Sequence, residues 1–208
     1  MRKGKLIGLI CLLSLCNLVC APCSKAQTAS EVLSAFLLKT EKSTLRTEFS
    51  LTVADNASQP FTYSGTLEMR GERFLVSLFG TEAAYDGRTL YVYSEDTDEL
   101  TLSAPSEDEL TESNPLLFAK ALQLKSSVRF SAANKNTRLH ALDIIPEHKE
   151  AGVNKIVLKI DKESLLPVEI RVYEGSQTTT VAFRNAAFSD AAPRCTISKP
   201  DAFLNDLR

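Results

Sequence analysis

Hydrophobic and polar residues alternate with a period of two over most of the chain after Ser43. The clearest example is a pair of runs, Leu45–Val53 and Phe61–Met69, separated by a polar turn at Asp55–Gln59. Because successive side chains of a β-strand point to opposite faces, this alternation predicts two half-buried strands of a hairpin.

The same alternation recurs along the rest of the chain. It predicts further strands at Arg73–Phe79, Leu90–Ser94, Glu99–Ser103, Arg138–Ile145, Lys155–Asp161, Pro167–Tyr173 and Thr178–Phe188, with the strand pattern ending near Ile197. Asp86-Gly87 favours a type I′ turn, which requires positive φ at both central residues. The connections up to Ser103 have hairpin lengths, so we expect an antiparallel sheet of about 11 strands.

Two segments have helical spacing instead. Thr28 and Glu31 match a capping box at the start of a helix that runs to about Lys42, and its apolar positions are Val32, Leu33, Phe36 and Leu37. Asn114-Pro115 begins a second apolar helix. A long sheet with one apolar face must close, fold over itself or be covered, so the pattern predicts a mainly β fold with covering helices.

The first 26 residues form a separate segment. A basic start precedes an apolar run, Leu6–Ala21, and small residues at Ser24 and Ala26 suit a signal peptidase. This predicts a secretory signal peptide, residues 1–26, cleaved before Gln27. One alternative is an uncleaved membrane anchor, for which the apolar run is short. Another is a lipoprotein signal, which needs a small residue directly before the acylated cysteine.

Removing this segment changes the charge and the cysteine content. It holds four basic residues and no acidic one, so the formal net charge falls from −2 to −6. A negative chain makes nucleic acid and anionic membrane surfaces poor partners. Cys195 is then the only cysteine, so residues 27–208, which contain no linker-like stretch, are expected to form one domain stabilised by its core.

Few residues are candidates for catalysis. The chain lacks the nucleophile elbow, the zinc-protease helix, the P-loop and the dinucleotide fingerprint. His140 and His148 are each either a general base or metal ligand, or an ordinary histidine without a second ligand at suitable spacing. Cys195 is a reactive thiol, a cysteine that pairs with another chain, or simply a small residue in a terminal strand. We therefore expect a binding protein, with no enzymatic activity, cofactor or metal.

Several short motifs follow one another in a characteristic order. They are the N-terminal helix, the strand Gly65–Met69, the run Tyr85–Tyr93 with its Asp-Gly turn, the helix start Asn114–Leu117, Ile145-Pro146, and Asp206–Arg208. By their order and spacing the chain resembles the LolA-like carriers of outer-membrane lipoproteins, over nearly the whole of residues 27–208. It looks most like the LolA-like chaperones of the Bacteroidetes type.

This resemblance implies a strongly curved antiparallel half-barrel whose apolar concave face holds acyl chains beneath a helical lid. Strand alternation then nominates the cavity residues Phe49, Leu51, Phe61, Tyr63, Leu67, Met69, Ile156, Leu158, Ile160, Val168, Ile170, Val172, Val181 and Phe183. The lid candidates are Phe36, Leu37, Leu116, Leu117 and Phe118, and Arg70 is the candidate for control of the lid. Each apolar candidate could equally be plain core packing.

The resemblance also implies the partners and the compartment. Acylated outer-membrane lipoproteins would be the cargo, and an inner-membrane lipoprotein-releasing ABC transporter the donor, with or without a separate outer-membrane acceptor. We expect a monomer in the periplasm. An alternative on the same fold is a lipid-binding or lipoprotein-sensing regulator. A third hypothesis is a secreted enzyme acting on envelope polymers.

Overall fold

A computed structural model of the chain describes residues 27–55, 59–106, 109–110, 126–132, 136–147 and 152–208. The predicted signal peptide and His148 lie outside these ranges, as do the lid candidates Leu116, Leu117 and Phe118. Within the described ranges, no helix has both the length and the apolar character needed to cross a membrane.

The described residues form one helix of several turns and twelve strands. They are α1 Ala29–Lys42, β1 Thr44–Asp55, β2 Phe61–Arg70, β3 Arg73–Leu78, β4 Thr81–Tyr85, β5 Leu90–Ser94, β6 Glu99–Ser103, β7 Ser126–Phe130, β8 Leu139–Pro146, β9 Val153–Asp161, β10 Pro167–Glu174, β11 Gln177–Ser189 and β12 Phe203–Asp206.

The twelve strands form a single unclosed sheet in the order β12-β6-β5-β4-β3-β2-β1-β11-β10-β9-β8-β7. All neighbours are antiparallel except β12 and β6. The expectation of about 11 antiparallel strands ending near Ile197 is therefore corrected in two places. β7 follows directly after the segment assigned to the second helix, and β12 runs parallel because residues 190–202 cross the back of the sheet before joining its edge.

Helix α1 begins as its sequence predicts. The Thr28 hydroxyl accepts a hydrogen bond from the amide of Glu31, and the Glu31 carboxylate accepts one from the amide of Thr28. These bonds satisfy amide groups that the first turn would otherwise leave unpaired. One face of the helix is buried, namely Ala29, Val32, Leu33, Phe36, Leu37 and Thr40.

The sheet curves around α1, which contacts β1 and β2 in the middle of the strand order and β7 and β8 at one end of it. The face towards the helix is thus concave. A continuous apolar core fills the space between helix and sheet, and its fully buried members include Phe36, Leu45, Met69, Phe74 and Leu142. The sequence predicts more than one covering helix. Among the described residues, α1 is the only helix that covers the sheet.

A second, smaller core lies on the convex face. Ala84, Leu100, Leu102 and Ile197 are its buried members. Ile197 belongs to the crossing segment, residues 190–202, which therefore covers the back of β3–β6 before it continues into β12.

Two local predictions need correction. The strand predicted over Arg73–Phe79 ends at Leu78, so Phe79 lies in the turn between β3 and β4. The connection from β4 to β5 has four residues, and only Gly87 of the Asp86-Gly87 pair has positive φ, so the turn is not type I′. Instead, the Asp86 carboxylate accepts hydrogen bonds of 2.8 Å from the amides of Arg88 and Thr89, an arrangement that aspartate favours in turns.

A short helical turn follows β6. Ser106 and Glu109 exchange side-chain to backbone hydrogen bonds, and Glu109 and Leu110 have helical conformation. Leu110 is buried against the main core. The helix predicted to begin at Asn114-Pro115 lies outside the described residues.

Candidate functional site

Side chains on the concave face form rows across the strands, and their burial falls along each row. Directly opposed residues of neighbouring antiparallel strands point to the same face. One row therefore consists of Leu142, Leu158, Ile170, Val181, Leu51 and Tyr63, from β8 to β2. Leu142 and Leu158 are fully buried, Val181 and Leu51 are partly exposed, and Tyr63 is 39% exposed.

The adjacent row shows the same gradient. It consists of Ile144, Ile156, Val172, Thr179, Val53 and Phe61. Ile144 and Ile156 are buried, whereas Phe61 is 59% exposed. Neither row contains a charged side chain. Along these two rows the concave face is therefore filled at β8 and β9 and open at the hairpin end of β1 and β2, around Phe61 and Tyr63.

The structure separates the predicted cavity residues into three groups. Buried core positions are Phe49, Leu67, Met69, Ile156, Leu158, Ile160 and Ile170. Partly exposed positions that pack against this core are Leu51, Val172, Val181 and Phe183, and exposed positions are Phe61 and Tyr63. Val168 belongs to neither core, because a bulge in the β9–β10 pairing interrupts the alternation next to it.

Phe79 joins the exposed group although strand alternation does not nominate it. Its ring packs edge-on against Tyr63 with the ring centroids 4.0 Å apart, and the residue is 54% exposed. Phe79 lies in the turn between β3 and β4, so the alternation of the strands says nothing about its direction. We call Phe61, Tyr63 and Phe79 the aromatic rim.

Gly65 allows an aromatic ring to lie flat against the concave face. It stands opposite Phe49, and a Cβ at this position would be 2.6 Å from Phe49 Cζ and 2.5 Å from the carbonyl oxygen of Ser77. Real Cβ atoms are not found so close, so any larger residue would push the Phe49 ring away. The glycine thus leaves room for the Phe49 ring next to the aromatic rim.

The two described lid candidates, Phe36 and Leu37, are buried core residues of α1. Arg70 lies at the C-terminal end of this helix. Its guanidinium donates hydrogen bonds to the carbonyl oxygens of Lys42 and Asp190, and the amide of the next residue, Gly71, donates to Thr40 at 2.9 Å. The end of α1 is therefore attached to the sheet by polar contacts.

Glu68, Arg46 and Arg194 form a charged cluster on the convex face. The buried Glu68 carboxylate accepts hydrogen bonds from Arg46 at 2.9 Å and from the amide and Nε of Arg194 at 2.8 and 3.1 Å. Burial acts to raise the pKa of Glu68, but the hydrogen bonds from both arginines outweigh it and lower the pKa below its ordinary value. The cluster ties the crossing segment to the convex face.

The two described residues considered for catalysis, His140 and Cys195, lie in different parts of the fold. His140 stacks on Phe130 with a centroid distance of 5.6 Å, and burial, then Lys162, lowers its pKa. Cys195 is a free, partly exposed thiol on the convex side, beside Lys199 in the crossing segment. In the part of the chain that the structure describes, no three His, Cys, Asp or Glu side chains are placed to hold a metal ion.

Residues 24–176 match the family described as outer membrane lipoprotein carrier protein LolA. The chain belongs to this family. The match covers most of the chain, including α1, β1 to β10 and the aromatic rim. No curated protein sequence gives a significant match.

The chain is also similar to several solved structures at low sequence identity. An uncharacterised conserved protein from Thermus thermophilus has 11% identity and a TM-score of 0.57, over 86% of this chain and 99% of that one. The Pseudomonas aeruginosa MucA/MucB complex has 17% identity and a TM-score of 0.49, over 80% of this chain and 58% of that one. A LolA superfamily protein from Nitrosomonas europaea has 9% identity and a TM-score of 0.38, over 80% and 96% of the two chains. At such identities, the Thermus match shows the fold alone.

Proposed function

We propose that this LolA-family protein is a periplasmic carrier of lipoproteins, which holds their acyl chains against the open part of its concave face. The observation that carries the proposal is the burial gradient, which ends in the exposed aromatic rim rather than in polar residues. Several large apolar side chains that lie next to one another and are exposed to solvent indicate a binding surface.

The energetics of the cargo support an open apolar site. Each methylene exposed to water costs about 0.8 kcal/mol, so an acyl chain of about 15 methylenes represents on the order of 12 kcal/mol gross. A carrier must offset much of this cost and still release its cargo. A site that is filled at one side and open at the other covers part of the chain, which limits the affinity.

The proposal includes the route that the resemblance to LolA-like carriers implies. The chain would be exported and lose residues 1–26 by cleavage, receive lipoproteins from an inner-membrane ABC transporter and deliver them to the outer membrane as a monomer. It would act by binding alone, without catalysis.

Native mass spectrometry of the protein purified from periplasm tests the proposal. We expect bound acylated protein or peptide in the wild type, and its loss in the double variant Phe61→Ser, Tyr63→Ser. The matched control is Phe203→Ser, because Phe203 is even more exposed than Phe61 but lies on the edge strand β12. Absence of any acylated ligand, with normal lipoprotein sorting after depletion, would contradict the carrier. Bound phospholipid alone would favour a lipid-binding regulator.

A further inference from the structure

Phe79 occupies a strained position in the turn of the β3–β4 hairpin. This turn has two residues, Phe79 and Gly80, with φ of 58° and 69°. Positive φ at both central positions is the type I′ arrangement, which favours Asn-Gly, Asp-Gly or Gly-Gly. A phenylalanine in this region of φ is unfavourable, because its Cβ crowds the backbone.

Nothing in the fold offsets this strain by burial. Among the described residues, four other than glycine have positive φ, namely Phe79, Asp98, Leu165 and Asn185. Aspartate and asparagine tolerate the conformation, and Leu165 packs against the main core. Phe79 alone of the four is a bulky side chain that remains mostly exposed. Its conformation is therefore maintained without a corresponding gain in core packing.

The strained turn does place the ring at a particular point. The last residue pair between β2 and β3 is Gly65 with Leu78, so Tyr63 extends beyond the end of β3. The Phe79 ring fills the position beside Tyr63 that a longer β3 would have occupied. It thus widens the apolar surface beside Tyr63, at the open end of the rows.

We infer that Phe79 is an affinity-determining residue for the acyl chain, and that the strained turn persists because it directs this ring to the rim. The inference rests on the proposed function and adds to it one ligand-contacting residue outside the strands. The saturated acyl chain would lie against Tyr63 and the exposed face of the Phe79 ring. Backbone strain lowers the stability of the fold, so a strained residue that persists at a binding site is expected to contribute to binding instead.

The variant Phe79→Asn separates the contribution of residue 79 to stability from its contribution to ligand affinity. It creates the Asn-Gly dipeptide that type I′ turns prefer, so we expect a Tm equal to that of the wild type or up to roughly 2–4 °C higher. The same change removes the apolar ring. We expect the affinity for a fluorescently labelled peptide with a triacylated N-terminal cysteine to fall roughly 5–30-fold. A residue that only stabilised the fold would not combine these two effects.

Two further variants complete the test. Phe79→Leu keeps an apolar side chain and should retain more affinity than Phe79→Asn, whereas Phe203→Asn should leave the affinity of the wild type unchanged. Unchanged affinity in Phe79→Asn would overturn the inference while leaving the carrier proposal intact. Loss of affinity together with a clearly lower Tm would also overturn it, because the ring would then be structural. A wild-type protein that does not bind the triacylated peptide would overturn the proposed function and the inference together.

Discussion

Glu68 connects parts of the chain that are far apart in sequence. Arg46 is a neighbour across β1 and β2, whereas Arg194 is 126 positions away on the crossing segment. The carboxylate is buried, but both arginine side chains are partly exposed to water. The ionised form of Glu68 is therefore stabilised by hydrogen bonds that exist only in the folded state.

Glu68→Gln is expected to destabilise the fold at about pH 7 by about 1–3 kcal/mol, since it weakens charge-assisted hydrogen bonds. Because the pKa of Glu68 is lowered by folding, its ionisation contributes stability above the ordinary pKa of 4.5, and this contribution is lost as the pH falls through the folded-state pKa. Urea unfolding at about pH 7 and about pH 3 should show a smaller difference between variant and wild type in acid. Glu72→Gln, at an exposed turn, is the control. An equal difference at both pH values would contradict this account.

At the scale of elements, α1 belongs to the core rather than lying loosely over the site. Its apolar face is buried along the whole helix, from Ala29 to Leu37. Its C-terminal end is held by Arg70 and Gly71 through the carbonyl oxygens of Lys42 and Thr40. Any movement of α1 on cargo release would have to break these contacts, and control by Arg70 remains a prediction.

Arg70→Met should loosen the end of α1 without changing its apolar packing. We expect a destabilisation of about 1 kcal/mol, because the bonds lie near the surface. Hydrogen exchange at the amides of Ser43 and Gly71 should become faster, while exchange in the middle of α1 changes little. Arg88→Met at the β4–β5 turn serves as the matched control. Unchanged exchange at Gly71 would show that Arg70 does not hold the helix.

At the scale of the whole molecule, one core joins the middle and one end of the unclosed sheet. Phe36 is fully buried on the face of α1 that both regions contact. Removing its ring would leave a cavity at the centre of this core. The two parts of the sheet are therefore expected to unfold together.

Phe36→Ala should lower the free energy of unfolding by about 3–5 kcal/mol. Urea transitions followed by circular dichroism and by tyrosine fluorescence, the available probe in a chain without Trp, should still coincide. Leu38→Ala, on the exposed side of the same helix, should change stability by less than about 0.5 kcal/mol. Separate transitions for the two probes would show that the sheet does not fold as one unit.

Much of the fold was predictable because it depends on local pattern. The capping box at Thr28 and Glu31 and the pairing of Leu45–Val53 with Phe61–Met69 match the structure. The failures have two causes. The parallel strand β12 and the crossing segment depend on contacts across the molecule, and the Asp86-Gly87 turn depends on a side chain that replaces the backbone geometry of a hairpin.

The site was less predictable than the fold. Alternation predicts that both Ile160 and Phe61 are cavity residues. In the structure Ile160 is fully buried, whereas Phe61 is mostly exposed. Their difference comes from the curvature of the sheet around α1. Alternation assigns Phe79 to the end of a strand, whereas its positive φ and its contact with Tyr63 place it in the β3–β4 turn beside the exposed aromatic residues.

The sequence by itself determined most of the strands, the cap of α1 and the apolar character of one face, because each depends on residues a few positions apart. Membership in the LolA family also follows from the order of its motifs. Only the tertiary structure decided which end of that face is filled and which is open. The reason is physical: burial depends on how the curved sheet, α1 and the distant segment held by Glu68 are arranged around one another.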